Sequence, residues 1–324
     1  MFKSFVSRQK LIFFLCSFVI LVVLIALKYH YAFDLTESLG INDKYDEIYW
    51  SNYINKHGTE KAFAKLEQVY EDEPLFIKHD KAHVFGAALY KLVGLEGIGI
   101  CGLKFNAGCL HELVAHTMTD LGIDGFAEVV NLCSEKYSDY YLSHLGCLHA
   151  VGHGLMSIET SNSDGLGLAL ENCDYLTSSS SININDYLRW CYAGVFMEYN
   201  FSVVTMQSID NARPIDMNVP YEPCDTVAEK YKEQCYFRQT RLWESHLADK
   251  SFIERYKEIA KLCINVPDKK YVETCADAVG SLMVYHRRGD QTEPLLVCET
   301  IFTEDEQIDT CIDSYLNSIP DTVN

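Results

Sequence analysis

The chain has 324 residues, of which 48% are hydrophobic and 23% are charged, as is ordinary for a globular protein. Its net charge is −19, and four of its 27 basic residues precede residue 31, so the rest of the chain carries 23 basic against 46 acidic residues. Such a surface repels phosphate backbones, so we expect no nucleic-acid partner. The length suffices for one large domain or a repeat array with a sizeable core.

The N-terminal segment predicts a membrane anchor. Residues 11–27 read LIFFLCSFVILVVLIAL, an uncharged run flanked by Lys10 and Lys28, at the short end for a spanning helix. Positive charge ahead of the run predicts a cytoplasmic N-terminus. A cleaved signal peptide, the alternative, usually has a shorter apolar core and small residues at the cut. We predict a cytoplasmic tail over 1–10 and a transmembrane signal anchor over 11–28.

The remainder is predicted to lie outside the cytoplasm, in the periplasm, at the cell surface or in a secretory lumen. Its polar start and the proline-rich stretch in its second half suggest boundaries. The predicted parts are a lead-in with the first helices (31–70), a histidine-rich helical-repeat half (71–202), a connecting loop (203–223) and a disulfide-bridged helical-repeat half (224–324).

The cysteines carry the clearest pattern. Twelve of the thirteen follow residue 100, with 8 to 18 residues separating the members of a pair and 23 to 33 separating the pairs. An even count with this alternation predicts disulfides in sequence order, which belong in an oxidising compartment. Zinc clusters need spacings of two to four residues, and no C-x-x-C occurs. The predicted pairs are Cys101–Cys109, Cys133–Cys147, Cys173–Cys191, Cys224–Cys235, Cys263–Cys275 and Cys298–Cys311.

Each pair is predicted to staple a helical hairpin near its turn. Before Cys263, the stretch SFIERYKEIAKLC has a capping box, with Ser251 as N-cap and Glu254 three residues on. The following INVPD breaks the helix, and Asp268 can cap the next helix, which carries Cys275. One cysteine therefore ends a helix, and its partner lies one to two turns into the following helix.

The second cysteines of the pairs recur every 36 to 44 residues, a period typical of stacked helix-pair repeats. After Cys147, Cys191 and Cys275, a small residue stands at the third position and Val at the fourth, which favours close helix packing; coincidental helical packing is the alternative. The general plan is similar to disulfide-bridged Sel1-type repeats, although the cysteine spacing varies more here. We predict an all-α array of disulfide-bridged helical hairpins, as an α-solenoid or αα toroid, behind the N-terminal transmembrane helix.

Seven of the eleven histidines lie between residues 79 and 153, in sets four residues apart. Residues i and i+4 share one helix face, and this spacing offers two ligands to one metal ion. Core histidines bonded to backbone carbonyls are the alternative, and His111 and His116 cannot share a face. The i, i+4 sets are His79 with His83, Glu112 with His116, and His149 with His153.

The distances of these residues from the second cysteine of each pair predict that the sets converge on one site. His111 and His149 each follow the second cysteine of a pair by two residues, and His116 and Glu198 each follow theirs by seven. Equivalent positions on stacked helices face the same side. We therefore predict a site with catalytic carboxylates, acting as ligand or base, and with a divalent metal that is zinc, iron, copper or manganese. The predicted metal ligands are His79, His83, His111, His116, His149 and His153, and the carboxylates are Glu112 and Glu198.

The other histidines are predicted to be ordinary. Packing or hydrogen bonding is expected for His144, three residues before its cysteine. His246 and His286 each lie eleven residues after a second cysteine, on helices with no other sign of a site. His30 and His57 are expected at the surface.

The helical array with His and Glu at repeat positions looks somewhat like the di-iron HEAT-repeat hydroxylase that modifies a lysine derivative. The resemblance implies that helical repeats can hold metal. Only one literal His-Glu pair, His111-Glu112, is present here against several in that family, and that enzyme is cytosolic and has no disulfide framework.

Three functions fit these patterns. The first is a membrane-anchored, metal-dependent hydrolase or oxidase. The second is a non-catalytic, membrane-tethered interaction scaffold with a protein partner on the concave face of the array. The third is a metal-handling protein without catalysis. No G-x-S-x-G, P-loop or G-x-G-x-x-G motif points to another chemistry.

Overall fold

The computed structural model describes seven stretches of the chain: 45–73, 75–137, 140–159, 164–178, 184–202, 212–286 and 292–318. The predicted tail (1–10) and anchor (11–28) lie outside the described residues. The chain forms two compact units, Met1–Tyr49 and Trp50–Asn324. The disulfides, the histidine-rich site and the cavity described below all belong to the second unit.

The described residues are all-α and contain no strand, which confirms the predicted class. The α-helices are α1 (Glu47–His57), α2 (Thr59–Val69), α3 (Leu75–Val93), α4 (Ile98–Cys101), α5 (Gly108–Leu121), α6 (Phe126–Lys136), α7 (Tyr141–Glu159), α8 (Gly165–Asp174), α9 (Ile184–Phe201), α10 (Glu229–His246), α11 (Phe252–Ile264), α12 (Val272–His286), α13 (Thr292–Ile301) and α14 (Asp305–Ser318). Short 3-10 turns cover Gly94–Gly97, Lys104–Ala107, Gly122–Gly125, Tyr175–Ser178 and Lys269–Tyr271.

Helix α11 shows how the sequence specifies these hairpins. Its buried residues include Tyr256, Ile259 and Cys263, which recur every three or four positions and form one apolar face. Ser251 is the N-cap as predicted, but its hydroxyl donates to Glu254 Oε2 at 2.8 Å instead of accepting a backbone N–H. The Asp268 side chain accepts from the Lys270 amide, which confirms the predicted cap after the turn.

All six predicted cysteine pairs are bonded, with Cα–Cα distances of 5.3 to 5.9 Å. Every one of these side chains is buried. Five pairs join the end of one helix to the next helix, and the exception, Cys224–Cys235, ties a turn to α10. Such a framework persists in an oxidising, extracytoplasmic environment and not in a reducing cytosol.

The helices that carry the second cysteines pack against one another in chain order. The sequence of contacts runs from α3 through α5, α7, α9, α10 and α12 to α14. Glycines permit this close approach, because a Cβ at Gly152, Gly194 or Gly280 would overlap a carbonyl oxygen of the neighbouring helix. Gly194 is one of the small residues singled out in the sequence, whereas Gly152 and Gly280 stand two positions further on.

One helical stretch, Ile77–Cys101, is long and apolar enough to cross a membrane by length and composition. Buried core helices pass the same test, so the stretch is weak evidence for a span. It is 44% buried, and it includes His79 and His83 and ends at a disulfide.

Candidate metal centre

Helix α3 places His79 and His83 one turn apart in the interior, with 4% and 3% of their surfaces exposed. Their Nε2 atoms lie 3.2 Å apart. On the other side of each ring, His79 Nδ1 lies 3.0 Å from the Phe105 carbonyl oxygen, and His83 Nδ1 lies 2.9 Å from Glu112 Oε2. Each ring is therefore held from its Nδ1 side while the Nε2 atoms face each other.

Helix α7 repeats this arrangement with His149 and His153. Their Nε2 atoms lie 3.3 Å apart. His149 Nδ1 lies 3.3 Å from the Trp190 carbonyl oxygen, and His153 Nδ1 lies 3.0 Å from Glu198 Oε2. The two pairs thus share spacing, ring orientation and the type of group behind each ring.

These contacts fix the tautomers of the four rings. A carbonyl oxygen accepts hydrogen bonds and cannot donate, so His79 and His149 each carry a proton on Nδ1. An ionised carboxylate does the same for His83 and His153. In the neutral rings the Nε2 lone pairs then face each other within each pair, an arrangement that is repulsive unless a proton or a metal ion lies between them.

Burial disfavours protonation of four of the five rings. It lowers the pKa of His79 to about 3, with a further contribution from the charge repulsion that a second proton on neighbouring His83 would cause. Burial and then the charges of His153 and His149 lower the pKa of His111 well below 6.5. The pKa of His149 is lowered by burial and by Arg238. Neutral imidazole is the form that binds metal.

His111 on α5 stands between the two pairs. Its ring centroid lies 5.5 Å from that of His79, 5.1 Å from that of His149 and 4.8 Å from that of His153. Its Nδ1 atom is buried and has no hydrogen-bond partner among the described residues. His111 is therefore placed to serve both pairs.

Two triads of potential ligands result, and they share His111. In each triad the ligand atoms all lie within 4.8 Å of one another. Two imidazole nitrogens bound to one tetrahedral ion at about 2.0–2.1 Å would lie roughly 3.3–3.4 Å apart, close to the separations within each pair. The first triad is His79, His83 and His111, and the second triad is His111, His149 and His153.

The donor set restricts the metal. All five ligands are imidazole rings, which suit transition metals such as zinc, copper and iron, whereas magnesium and calcium prefer oxygen ligands. Buried histidine clusters that can bind a metal ion are thus present, as predicted, and the geometry leaves the metal's identity open.

The structure places Glu112 and Glu198 behind the rings and not among the facing Nε2 atoms. Each carboxylate meets a histidine Nδ1, the position of an outer partner that orients a ligand. Burial would raise the pKa of Glu112, but hydrogen bonds from His116 and His83 outweigh it, so the net pKa is lowered. This position differs from the predicted role as metal ligand or base.

His116, which the sequence predicted as a ligand, lies outside both triads. Its Nε2 atom lies 3.1 Å from Glu112 Oε1, its side chain is 32% exposed, and its ring stacks on Tyr90 at 5.3 Å. The hydrogen bond to Glu112 raises the pKa of His116. It therefore supports Glu112 from the outside.

A strained turn holds the carbonyl behind His79. Phe105, Asn106 and Ala107 have φ values of 56°, 54° and 61°, which are unusual for residues with side chains and cost of order 1–3 kcal/mol each. The Cys101–Cys109 disulfide closes this loop. The next residue, Gly108, packs so closely on His79 that a Cβ there would overlap the His79 carbonyl oxygen.

A cavity of about 80 Å³ adjoins the first triad. His79 lines it, together with residues from α9, α10 and α12. Two of these, Arg238 and Arg241, went unnoticed in the sequence. A signal for them existed, because they stand three and six residues after Cys235, the offsets of Glu112 and His153 from their own cysteines.

The remaining histidines match their predictions where the structure describes them. His144 is buried, and it donates to the Ser134 hydroxyl and accepts from the Tyr187 hydroxyl at 2.9 Å. His57 is exposed. His246 Nδ1 lies 3.0 Å from the Leu242 carbonyl oxygen. The His30 residue and the His286 side chain lie outside what the structure describes.

Comparisons with family models, with curated protein sequences and with solved structures found no match to this chain. The site must therefore be interpreted from its own geometry.

Proposed function

We propose that this chain is an extracytoplasmic metalloenzyme whose five inward-facing histidines hold two transition-metal ions, one in each triad. His111 would serve both triads as an imidazolate, which has lost its remaining N–H proton and offers one ring nitrogen to each ion. Each ion would have three protein ligands and an open coordination position, the arrangement of catalytic metal sites. A bound ion supplies Lewis acidity or redox chemistry. Zinc would support hydrolysis, and copper or iron would support oxidation.

The facing Nε2 lone pairs carry this proposal. A core histidine normally satisfies both ring nitrogens, as His144 does with Ser134 and Tyr187. In the two pairs only the Nδ1 side meets an acceptor, and the Nε2 atoms meet each other at 3.2 and 3.3 Å. Burying five imidazoles in this way is costly unless a cation completes their bonding.

The open position is better placed in the first triad. His79 lines the cavity, whereas the cavity lining in the described part of the chain includes neither His149 nor His153. Catalysis therefore belongs at the first triad, with the second ion buried behind it. The position of the second triad away from this cavity favours the alternative, metal handling without catalysis.

The repeat architecture belongs to the same proposal. Consecutive packing of α3, α5, α7, α9, α10, α12 and α14 supports a helical solenoid or closed αα toroid with the site on its inner surface. The signal anchor would tether this domain outside the cytoplasm. A protein partner on the inner face remains a further prediction of the scaffold alternative.

Elemental analysis of the oxidised full chain, after loading with zinc, copper, iron or manganese and removal of free metal, tests the proposal. We expect close to two ions per chain. His111→Ala should lose most of both, because each triad loses a ligand.

His144→Gln is the matched control, because His144 is equally buried but has partners on both nitrogens. It should retain both ions. A wild-type chain that binds none of the four metals, or a His111→Ala variant that keeps both ions, would overturn the proposal.

A further inference from the structure

The cavity beside the first triad has an unusual wall for so acidic a chain. Two arginines one turn apart on α10, Arg238 and Arg241, line it together with His79. The chain as a whole has a net charge of −19, so two cations converging on one cavity run against its average composition.

The arginines lie close enough to the histidines to act on them electrostatically. The positive charge of Arg238 contributes to lowering the pKa of His149 and of His153. The charge of Arg241 likewise contributes to lowering the pKa of His79. Both arginines share the wall of the cavity with His79.

Packing positions both arginines. Arg241 Nη1 donates to Glu244 Oε2 at 3.0 Å, and the Tyr256 hydroxyl donates to the other oxygen of Glu244. Beside the Arg238 side chain lies the Phe237 ring, with its centroid 5.2 Å from Arg238 Cζ. The Arg238 carbonyl oxygen accepts from Asn200 Nδ2. These contacts direct two guanidinium groups toward the cavity from a fixed helix.

The two guanidinium groups and an ion held by imidazoles lie around one cavity, and all of them attract an anion placed there, in addition to the Glu244 carboxylate that pairs with Arg241. Guanidinium groups match carboxylates in shape as well as in charge. The site is therefore complementary to a bound anion.

The rest of the wall is mainly apolar. Met197, Phe201, Phe237 and Leu282 line the cavity beside the arginines. A volume of about 80 Å³ accommodates several waters or one small molecule, since one water needs roughly 10–15 Å³ on this measure. A short hydrocarbon body fits this wall better than a second charged group.

We propose that the cavity binds a small organic monocarboxylate, its carboxylate on Arg238 and Arg241 and its apolar body against Phe201 and Leu282, as the substrate class of the site. This inference rests on the proposed metal centre for its catalytic meaning, whereas the carboxylate subsite itself is independent of metal.

Isothermal titration calorimetry of the oxidised full chain, metal-free and zinc-loaded, tests the inference with butyrate, neutral butyramide and inorganic phosphate. We expect butyrate to bind both forms and to bind the zinc-loaded form more tightly. Butyramide should bind at least tenfold more weakly. Arg238→Gln and Arg241→Gln should each weaken butyrate binding roughly ten- to hundred-fold, the range for a lost charged hydrogen bond.

Arg189→Gln is the control, because Arg189 is 51% exposed and pairs with Glu233 at the surface. It should change butyrate affinity by less than twofold. Arg238→Lys keeps the charge and should bind butyrate better than Arg238→Gln, which separates recognition from misfolding. Equal binding of butyramide, tighter binding of phosphate, or butyrate binding indifferent to both arginines would overturn the inference. Failure to bind zinc, copper, iron and manganese, with arginine-dependent butyrate binding intact, would instead overturn the metal centre alone.

Discussion

The first triad and the second triad are built from the same parts on different helices. In each, a His-x-x-x-His pair turns its Nε2 atoms toward each other and its Nδ1 atoms toward one carboxylate and one backbone carbonyl. Their surroundings differ. In the second triad, His153 and the Glu198 behind it have fully buried side chains. In the first triad, His79 lines a cavity, and the partly exposed His116 contacts Glu112.

The comparison shows how one binding motif can serve two purposes. A triad away from the cavity would hold its ion in a supporting role, and a triad beside the cavity would offer its ion to a substrate. The strained turn over Phe105–Ala107 lies beside the first triad, where strain often accompanies function. We assign reactivity to the first triad and support to the second.

The largest expected effect separates the two triads. His83→Ala and His153→Ala should each remove about one ion per chain, because each deletes one of three ligands from a single triad. Turnover of any substrate should disappear with His83→Ala, and the buried second ion should survive. Metal analysis of both variants checks this, and loss of both ions from either one would show that a single shared ion is present.

Changes behind the ligands should have smaller effects. Glu112→Gln and Glu198→Gln keep the side-chain shape but replace the carboxylate that orients His83 or His153. Each should weaken metal affinity at its own triad roughly ten- to hundred-fold. Competition with a chelator of known affinity measures the change. If Glu112→Gln left affinity intact and abolished turnover, Glu112 would be a base as the sequence suggested.

Helix packing offers a matched pair of variants. A Cβ at Gly194 would overlap the His149 carbonyl oxygen, and a Cβ at Gly280 would overlap that of Cys311, far from the histidines in sequence. Gly194→Ala and Gly280→Ala should each destabilise the fold by about 1–3 kcal/mol. Only Gly194→Ala should also weaken metal binding several-fold. Chemical denaturation and chelator competition together check this, and equal metal affinities would contradict it.

Acid should destabilise the metal-free protein through the buried histidines. Burial lowers the folded-state pKa of His79 to about 3 and also lowers those of His111, His149 and His153, while the unfolded values stay near 6.5. The stability they contribute is present above about pH 6.5 and is lost as pH falls toward the folded values, by about 1.4 kcal/mol per pH unit for each group that stays neutral.

Thermal unfolding of the metal-free chain between pH 7 and 4 measures this loss. A double variant, His79→Gln with His149→Gln, should show a shallower decline. His116 contributes to the pH dependence of stability with the opposite sign, because Glu112 raises its pKa in the folded state. It is one group, however, against the four whose pKa values are lowered. An equally steep decline in the double variant would assign the acid sensitivity to other groups.

The smallest effect is expected for His116→Ala. His116 touches Glu112 and lies in neither triad, so metal affinity should change by only a few-fold and stoichiometry not at all. Metal analysis beside the His111→Ala variant checks this, and loss of an ion would restore His116 as a ligand.

The sequence predicted what depends on local spacing. Alternating cysteine separations led to all six disulfides, since each joins neighbours in the chain. Residues four apart on a helix must share a face, so the pairs His79–His83 and His149–His153 were found directly. The convergence of His111 and His149 followed from their equal distance to a cysteine.

The sequence could not predict what depends on the offset between helices. Glu112 stands three residues after its cysteine and Glu198 stands seven after its own, yet both meet the Nδ1 atom of a histidine on the preceding helix of the packing order. Measured from their cysteines, the two carboxylates therefore differ by four residues, about one helical turn. His116 also stands seven residues after its cysteine, as Glu198 does, yet it does not take the place of Glu198 behind a ligand ring. It contacts Glu112 from outside the cluster instead.

Anomalous diffraction at the absorption edge of the bound metal, from crystals of the metal-loaded full chain, tests the two-ion site most directly. We expect two peaks, one within bonding distance of His79 and His83 and one within bonding distance of His149 and His153, with His111 between them. A single peak, peaks away from these five rings, or no peak from a fully loaded crystal would contradict it.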